Sequence, residues 1–165
     1  MNPWSVLGRV RVKSLAHAVF LGMGHPLFLG PTIKATRACV RISTAHYGKL
    51  HHRNGPANAF RHALWNYLIG KACAPWSSRE ERAIAWAERI TLWHEESFPN
   101  KEPARRMDLH NNAVGRAILQ EQRDQSQEEV IRLLMEMTER SVLIDRDTDL
   151  TELKNQLVHI IGHEG

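Results

Sequence analysis

Two stretches of the sequence place polar side chains with catalytic or metal-binding chemistry beside helical rows of apolar residues. In the first, Asn58, His62 and Asn66 recur every four residues next to a core row, and therefore share one face of a helix. Asn is a mediocre helix former, so two of them around a His in mid-helix are atypical of a solvent face. In the second stretch, His94 ends an apolar row and Glu95 stands beside it.

A third stretch adds a carboxylate and two amides. Asn111 interrupts an apolar row that includes Met107 and Val114, and Asp108 and Asn112 lie on the neighbouring row. A buried Asp beside a buried Asn costs free energy unless each finds hydrogen-bond partners or a metal ion. Three helices with the same departure from ordinary patterning predict one shared site.

The residue types in these stretches suit metal-assisted hydrolysis of a phosphoester or phosphodiester bond. His and carboxylate ligands commonly hold a divalent metal, and a further carboxylate can take a proton from water. On this hypothesis the metal ligands are His62, His94 and Asp108, and Glu95 is the general base. The residues expected to orient the substrate or stabilise developing charge are Asn58, Arg61, Asn111 and Asn112. The sequence does not specify which metal would bind.

Two other interpretations fit the same residues. One is a metal-free hydrolase or transferase that uses a His and carboxylate pair. The other is a non-catalytic helical binding module whose buried polar network fixes how its helices pack. The zinc-protease motif HExxH is excluded, because Phe98 stands where its second His would be.

Helix signals recur along the chain, and no long run of alternating β-branched residues competes with them. Together they predict one all-α domain over residues 1–165, a bundle or orthogonal array of about six to seven helices. Gly-Pro breakers at 24–26 and 30–31 should separate the first two helices, and capping signals begin later ones at Ser77, Ser126 and Asp149. The predicted helices cover 4–22, 32–47, about 56–73, about 78–96, about 103–123, a stretch from 127, and about 150–162.

The whole sequence has a formal net charge of +4 and a pI near 9.4, and its basic residues are concentrated in the first third of the chain. This third could bind an anionic substrate, nucleic acid or an acidic membrane surface, in a salt-sensitive manner. A solvated basic face explains the pattern equally well. The basic residues concerned are Arg9, Arg11, Lys13, Lys34, Arg37, Arg41, Lys49 and Arg53.

Residues 15–30 form an apolar run like that of a signal peptide. The resemblance is weak, because the run is interrupted by His17, His25, Pro26 and two glycines. We therefore expect a cytoplasmic protein, with peripheral membrane association as a secondary interpretation. Cys39 and Cys73 have no CxxC partner, and we expect both to be reduced thiols in the core.

The motifs NGPANAFRHALWN at 54–66, WHE at 93–95 and MDLHNNAVGR at 107–116 resemble a family of small bacterial domains. The family is uncharacterised and occurs alone or, in related form, as C-terminal tails of polymorphic toxins of the RHS and wall-associated type. The resemblance covers about residues 46–118. It implies a bacterial origin and, from the habits of toxin tails, an enzymatic and most often hydrolytic activity.

Overall fold

The chain folds as an all-α domain, described here from a computed structural model over residues 22–98 and 100–161. Within these residues two short strands, β1 (Val142–Leu143) and β2 (Val158–His159), pair in parallel. Single 3-10 turns cover Leu50–His52, Ala74–Trp76 and Leu150–Leu153. The α-helices are α1 (Pro26–Tyr47), α2 (Pro56–Cys73), α3 (Glu80–Ser97), α4 (Ala104–Glu121) and α5 (Gln127–Glu139).

Helix α2 lies at the centre of the domain, in contact with the other four helices and most extensively with α4 and α1. Pro56 begins it, at a position where the missing N–H has no helical partner to lose. Phe60, Leu64 and Ile69 are fully buried on it. A helix surrounded on all sides has no solvent face, so its polar residues must find partners inside the protein.

The crossing of α2 and α4 is a backbone contact. A Cβ atom added to Gly115 on α4 would lie 2.0 Å from the carbonyl oxygen of Ala63 on α2. Only glycine therefore fits at this position. The crossing holds the residues before Ala63 on α2 close to those before Gly115 on α4.

The predicted break at Gly30-Pro31 is wrong, since α1 continues through Pro31. Thr32 explains part of this continuity. Its hydroxyl donates to the carbonyl of Phe28 (2.7 Å) and accepts from Trp86 Nε1 of α3 (2.8 Å). These contacts, and the burial of Phe28, hold the helical backbone across the position where proline removes a hydrogen bond.

The predicted last helix is also wrong. Asp149 accepts from the backbone N–H of Thr151 (2.8 Å), but the chain then forms one 3-10 turn and continues into β2. Tertiary pairing with β1 outweighs the local helix signal there. By contrast, Ser126 caps α5 as predicted, in a reciprocal capping box with Glu129. The predicted helix at 4–22 and the basic residues Arg9, Arg11 and Lys13 lie outside the described residues.

Cys39 and Cys73 are buried free thiols, as predicted. Among the residues that the structure describes, no helix has the length and apolar character needed to cross a bilayer.

Candidate functional site

His62 of α2, Glu95 of α3 and Asp108 of α4 meet in the interior, and each is only 1% exposed. One potential ligand atom from each lies within 4.8 Å of the others. We call these three residues the His-Glu-Asp cluster. The sequence-based prediction of one site shared by three helices agrees with this geometry.

The His62 ring is neutral, and its hydrogen bonds define its tautomer. Burial, followed by the nearby positive charge of Arg61, lowers the pKa of His62 well below its ordinary value. Its Nδ1 lies 3.1 Å from Oδ1 of Asn112, which can only accept, so Nδ1 carries the proton. Nε2 therefore carries a lone pair, which accepts a hydrogen bond from Nη2 of Arg61 (2.8 Å) and could bind a metal only if Arg61 moved away. This is the arrangement of a metal-binding His whose other nitrogen is held by a second residue.

Asp108 places a second acceptor against that lone pair. Its Oδ1 lies 3.2 Å from His62 Nε2, while its Oδ2 accepts from Nδ2 of Asn100 (2.7 Å). Because the ring is neutral, the contact between Oδ1 and Nε2 is not an ion pair. Burial, and then the charge of Glu95, raise the pKa of Asp108 to about 7. His62 Nε2 accepts from Arg61, whereas the buried Oδ1 of Asp108 has no hydrogen-bond partner among the described residues, so a proton or a cation at Oδ1 would stabilise it.

Glu95 contributes one oxygen to the cluster and one to its exposed rim. Its Oε1 lies 3.2 Å from Nδ1 of His94, whereas its buried Oε2 has no hydrogen-bond partner within 22–98 and 100–161. The side chain of His94 is 33% exposed and packs against the rings of Trp65 and Phe98. The structure thus exchanges the predicted positions: Glu95 lies in the cluster, and His94 lies at the rim, beyond the metal-ligand group.

Arg61 borders the cluster on another side. Its guanidinium donates from Nη2 to His62 Nε2 (2.8 Å) and from Nε to the carbonyl of His51 (2.9 Å). Asn58 donates to the same carbonyl (3.4 Å), so it supports the loop before α2 and makes no described contact with the cluster. Arg61 is therefore placed to meet an anion at the cluster, and Asn58 is not.

Asn111 is directed away from the cluster, against the sequence-based expectation. Its amide donates to the carbonyl of Val158 and accepts from the N–H of the same residue, both at 2.9 Å. It imitates a neighbouring strand and anchors β2 to α4. Its neighbour Asn112 is the amide that belongs to the cluster.

Asn66 and Asn100 also position the cluster, although the sequence did not predict either of them as a site residue. Asn66 was recognised on its row, and the structure shows that it donates to Oδ1 of Asn112 (2.7 Å) and accepts from Thr91 and Arg116. Asn100, which binds Asp108, lies in the loop before α4. A loop residue has no periodicity, so no sequence signal pointed to it.

One imidazole and two carboxylates form a donor set that could hold a divalent metal ion. The two carboxylates would balance the charge of such an ion, and the neutral His62 nitrogen suits transition metals better than Mg²⁺ or Ca²⁺. Three protein ligands leave coordination positions for water or substrate, as in catalytic rather than structural sites.

Comparison with protein families places this site in a wider group. The chain matches a domain of unknown function, DUF6973, over residues 19–142, and it belongs to that family. The matched range contains every residue of the cluster and its supporting amides. No curated protein and no solved structure gave a match.

Proposed function

We propose that this protein is a metal-dependent hydrolase that cleaves a phosphoester or phosphodiester bond. The observation that carries the proposal is the buried contact between the unprotonated Nε2 of His62 and Oδ1 of Asp108. Beside this contact, Asp108 Oδ1 and Glu95 Oε2 are buried without hydrogen-bond partners among the described residues, and functional sites commonly contain such unfavourable arrangements.

The proposal gives each residue one role. His62, Glu95 and Asp108 hold the metal, which would act as a Lewis acid towards a phosphoryl oxygen or a water molecule. His94, at the rim and oriented by Glu95, accepts the proton of the attacking water. Arg61 would release His62 Nε2 to the metal and stabilise negative charge on the phosphoryl group through its guanidinium.

Thermal melting of the purified protein with added metal ions tests the metal-binding part of this proposal. We expect Mn²⁺ or Zn²⁺ to raise the melting temperature of the parent, and Asp108→Asn and His62→Ala to abolish that rise. Asp124→Asn, an exposed carboxylate change, should retain it. A parent that binds neither ion would contradict the proposed metal site.

Phosphodiesterase activity on a chromogenic diester tests the reaction. Asp108→Asn should remove metal-dependent turnover, whereas His94→Gln should lower kcat by about 10²-fold or more, the contribution typical of a general base. Full metal binding without hydrolysis of phosphoesters would contradict the proposed reaction and leave the metal site in place.

The pKa of Asp108, about 7, favours a second candidate, a metal-free acid-base pair. A protonated Asp108 would be a general acid beside the neutral imidazole of His62, 3.2 Å away. Activity that survives dialysis against a strong chelator, and that disappears in Asp108→Asn, would favour this candidate.

The resemblance to toxin tails adds the hypothesis that the activity harms a bacterial cell. Induced expression of the parent should then slow bacterial growth, and expression of Asp108→Asn at the same level should not. Equal growth of the two cultures would contradict a toxin role.

A further inference from the structure

Helix α1 has an exposed apolar row, of which Leu29 lies beside Gly22 of the preceding residues. Its buried face, which includes Phe28, Ala35 and Cys39, packs towards the core. On the other side Leu29, Ile33 and Val40 are 40%, 52% and 47% exposed. Their spacing of four and then seven residues places them on one side of the helix.

A basic row runs beside the apolar one. Lys34, Arg37 and Arg41 are exposed and are spaced by three and four residues. Helix α1 contains no Asp or Glu, and the first acidic residue of the whole sequence is Glu80. The positive charge on this helix is therefore not offset by acidic neighbours along the chain.

We propose that this face of α1, formed by Leu29, Ile33, Lys34, Arg37, Val40 and Arg41, docks on an anionic lipid bilayer. Apolar side chains beside Lys and Arg on one helix are typical of helices that lie in the headgroup region. A second copy of this chain fits less well, because symmetric pairing of the face would bring like charges together. Nucleic acid would engage the basic row and leave the apolar row in water.

The docking face adjoins the rim of the His-Glu-Asp cluster. Thr36, which lies between Ile33 and Val40 along α1, accepts a hydrogen bond from Nε1 of Trp65 (2.9 Å). The Trp65 ring in turn contacts the ring of His94. If the cluster acts as proposed above, its substrate would be the phosphoester of a lipid headgroup; this extension rests on the proposed function, whereas the docking does not.

Vesicle flotation of the full chain tests the docking. The parent should bind vesicles of phosphatidylcholine with phosphatidylglycerol, bind pure phosphatidylcholine weakly, and lose affinity as salt rises. Ile33→Gln and Arg37→Gln should each weaken binding by about fivefold or more. The matched controls Leu143→Gln and Arg132→Gln, exposed residues outside α1, should bind as the parent does.

Several results would overturn the docking: no binding to anionic vesicles, equal binding by all four variants, or salt-sensitive binding to nucleic acid alone. Self-association of the parent that Ile33→Gln abolishes, without vesicle binding, would also overturn it. Asp108→Asn should bind vesicles like the parent, so failure of the metal site does not affect this measurement. Hydrolysis of a soluble diester but not of vesicle lipid would contradict only the lipid-substrate extension.

Discussion

Asn111 and Asn112 are neighbours on α4 and both are buried, yet they belong to two regions that differ in how fully their buried polar groups are hydrogen-bonded. Asn111 exchanges two hydrogen bonds with the backbone of Val158 and closes the junction between α4 and β2. Asn112 accepts from His62 and Asn66, while its own Nδ2 has no hydrogen-bond partner in the part of the chain that is described. Both the donor and the acceptor of the Asn111 amide have partners, whereas only the acceptor of the Asn112 amide does.

The surroundings of Asn111 and those of Asn112 differ in the same way. Around Asn111, the residues Met107, Ile144 and Val158 form an apolar cluster sealed by satisfied backbone pairing. Around Asn112, the buried atoms Asp108 Oδ1, Glu95 Oε2 and Asn112 Nδ2 have no hydrogen-bond partner among the described residues. A satisfied polar group stabilises a fold, and an unsatisfied buried group lowers stability unless a ligand meets it. We therefore expect substitutions in the two regions to change stability in opposite directions.

Asn111→Ala should have the largest effect on the folded protein. It leaves the buried N–H and carbonyl of Val158 unpaired, which lowers the free energy of unfolding by about 2 to 5 kcal/mol. Urea unfolding would measure this loss, with exposed Asn155→Ala as the matched control. A loss no larger than that of the control would show that Asn111 does not anchor β2.

Asp108→Asn should have the opposite sign in metal-free protein. The amide keeps an acceptor for Asn100 and removes a buried charge together with the unpaired acceptor Oδ1. The free energy of unfolding at pH 8 should rise by about 1 to 4 kcal/mol, since a pKa unit corresponds to about 1.4 kcal/mol. Urea unfolding with a chelator present would measure it. A stability loss would identify the cluster as a structural network like that of Asn111.

The gain from Asp108→Asn should depend on pH. The pKa of Asp108 is raised from 3.8 to about 7 in the fold, so the folded parent binds more protons than the unfolded chain between these values. The parent thus loses stability from this group as the pH rises from about 4 to 7, and the variant does not. The lowered pKa of His62 acts in the opposite direction in the parent. Unfolding curves at several pH values should show a difference that is small near pH 4 and constant above pH 7.

His94→Gln should have the smallest effect on stability, a loss of about 1 kcal/mol, because the side chain is one-third exposed and Gln can still donate to Glu95. His46→Gln, an exposed change on α1, is the matched control for thermal melting. A large loss of stability in His94→Gln would place His94 with the structural residues rather than with the rim of a reactive site.

The sequence was sufficient to predict the all-α class and the sharing of one site by three helices. Helical periodicity indicates both, because each of the three helices has polar residues within or beside its apolar row, where His62, His94 and Asn111 stood out. Periodicity could not tell His94 from Glu95, since the two are adjacent and a rotation of α3 by less than a third of a turn decides which of them points inward.

Other features depend on distant partners that local patterns do not encode. The direction in which the Asn111 side chain points depends on β2, and β2 forms only because β1 and α4 are nearby. The tail after Asp149 has local helix signals and still becomes a strand. Asn100 reaches Asp108 from a loop, where neither spacing nor helix propensity gives information.

The backbone contact between Gly115 and Ala63 bears on which ions the cluster would accept. Ala63 follows His62 directly, and Gly115 lies about two turns of helix after Asp108. Ions differ in radius by a few tenths of an ångström: oxygen ligands lie about 2.0 Å from Mg²⁺ and about 2.4 Å from Ca²⁺. Two helices already touching through their main chains cannot move closer together, and their packed side chains resist moving apart. The crossing thus restricts how far His62 and Asp108 can move apart. We therefore expect a metal site here to discriminate against large ions such as Ca²⁺.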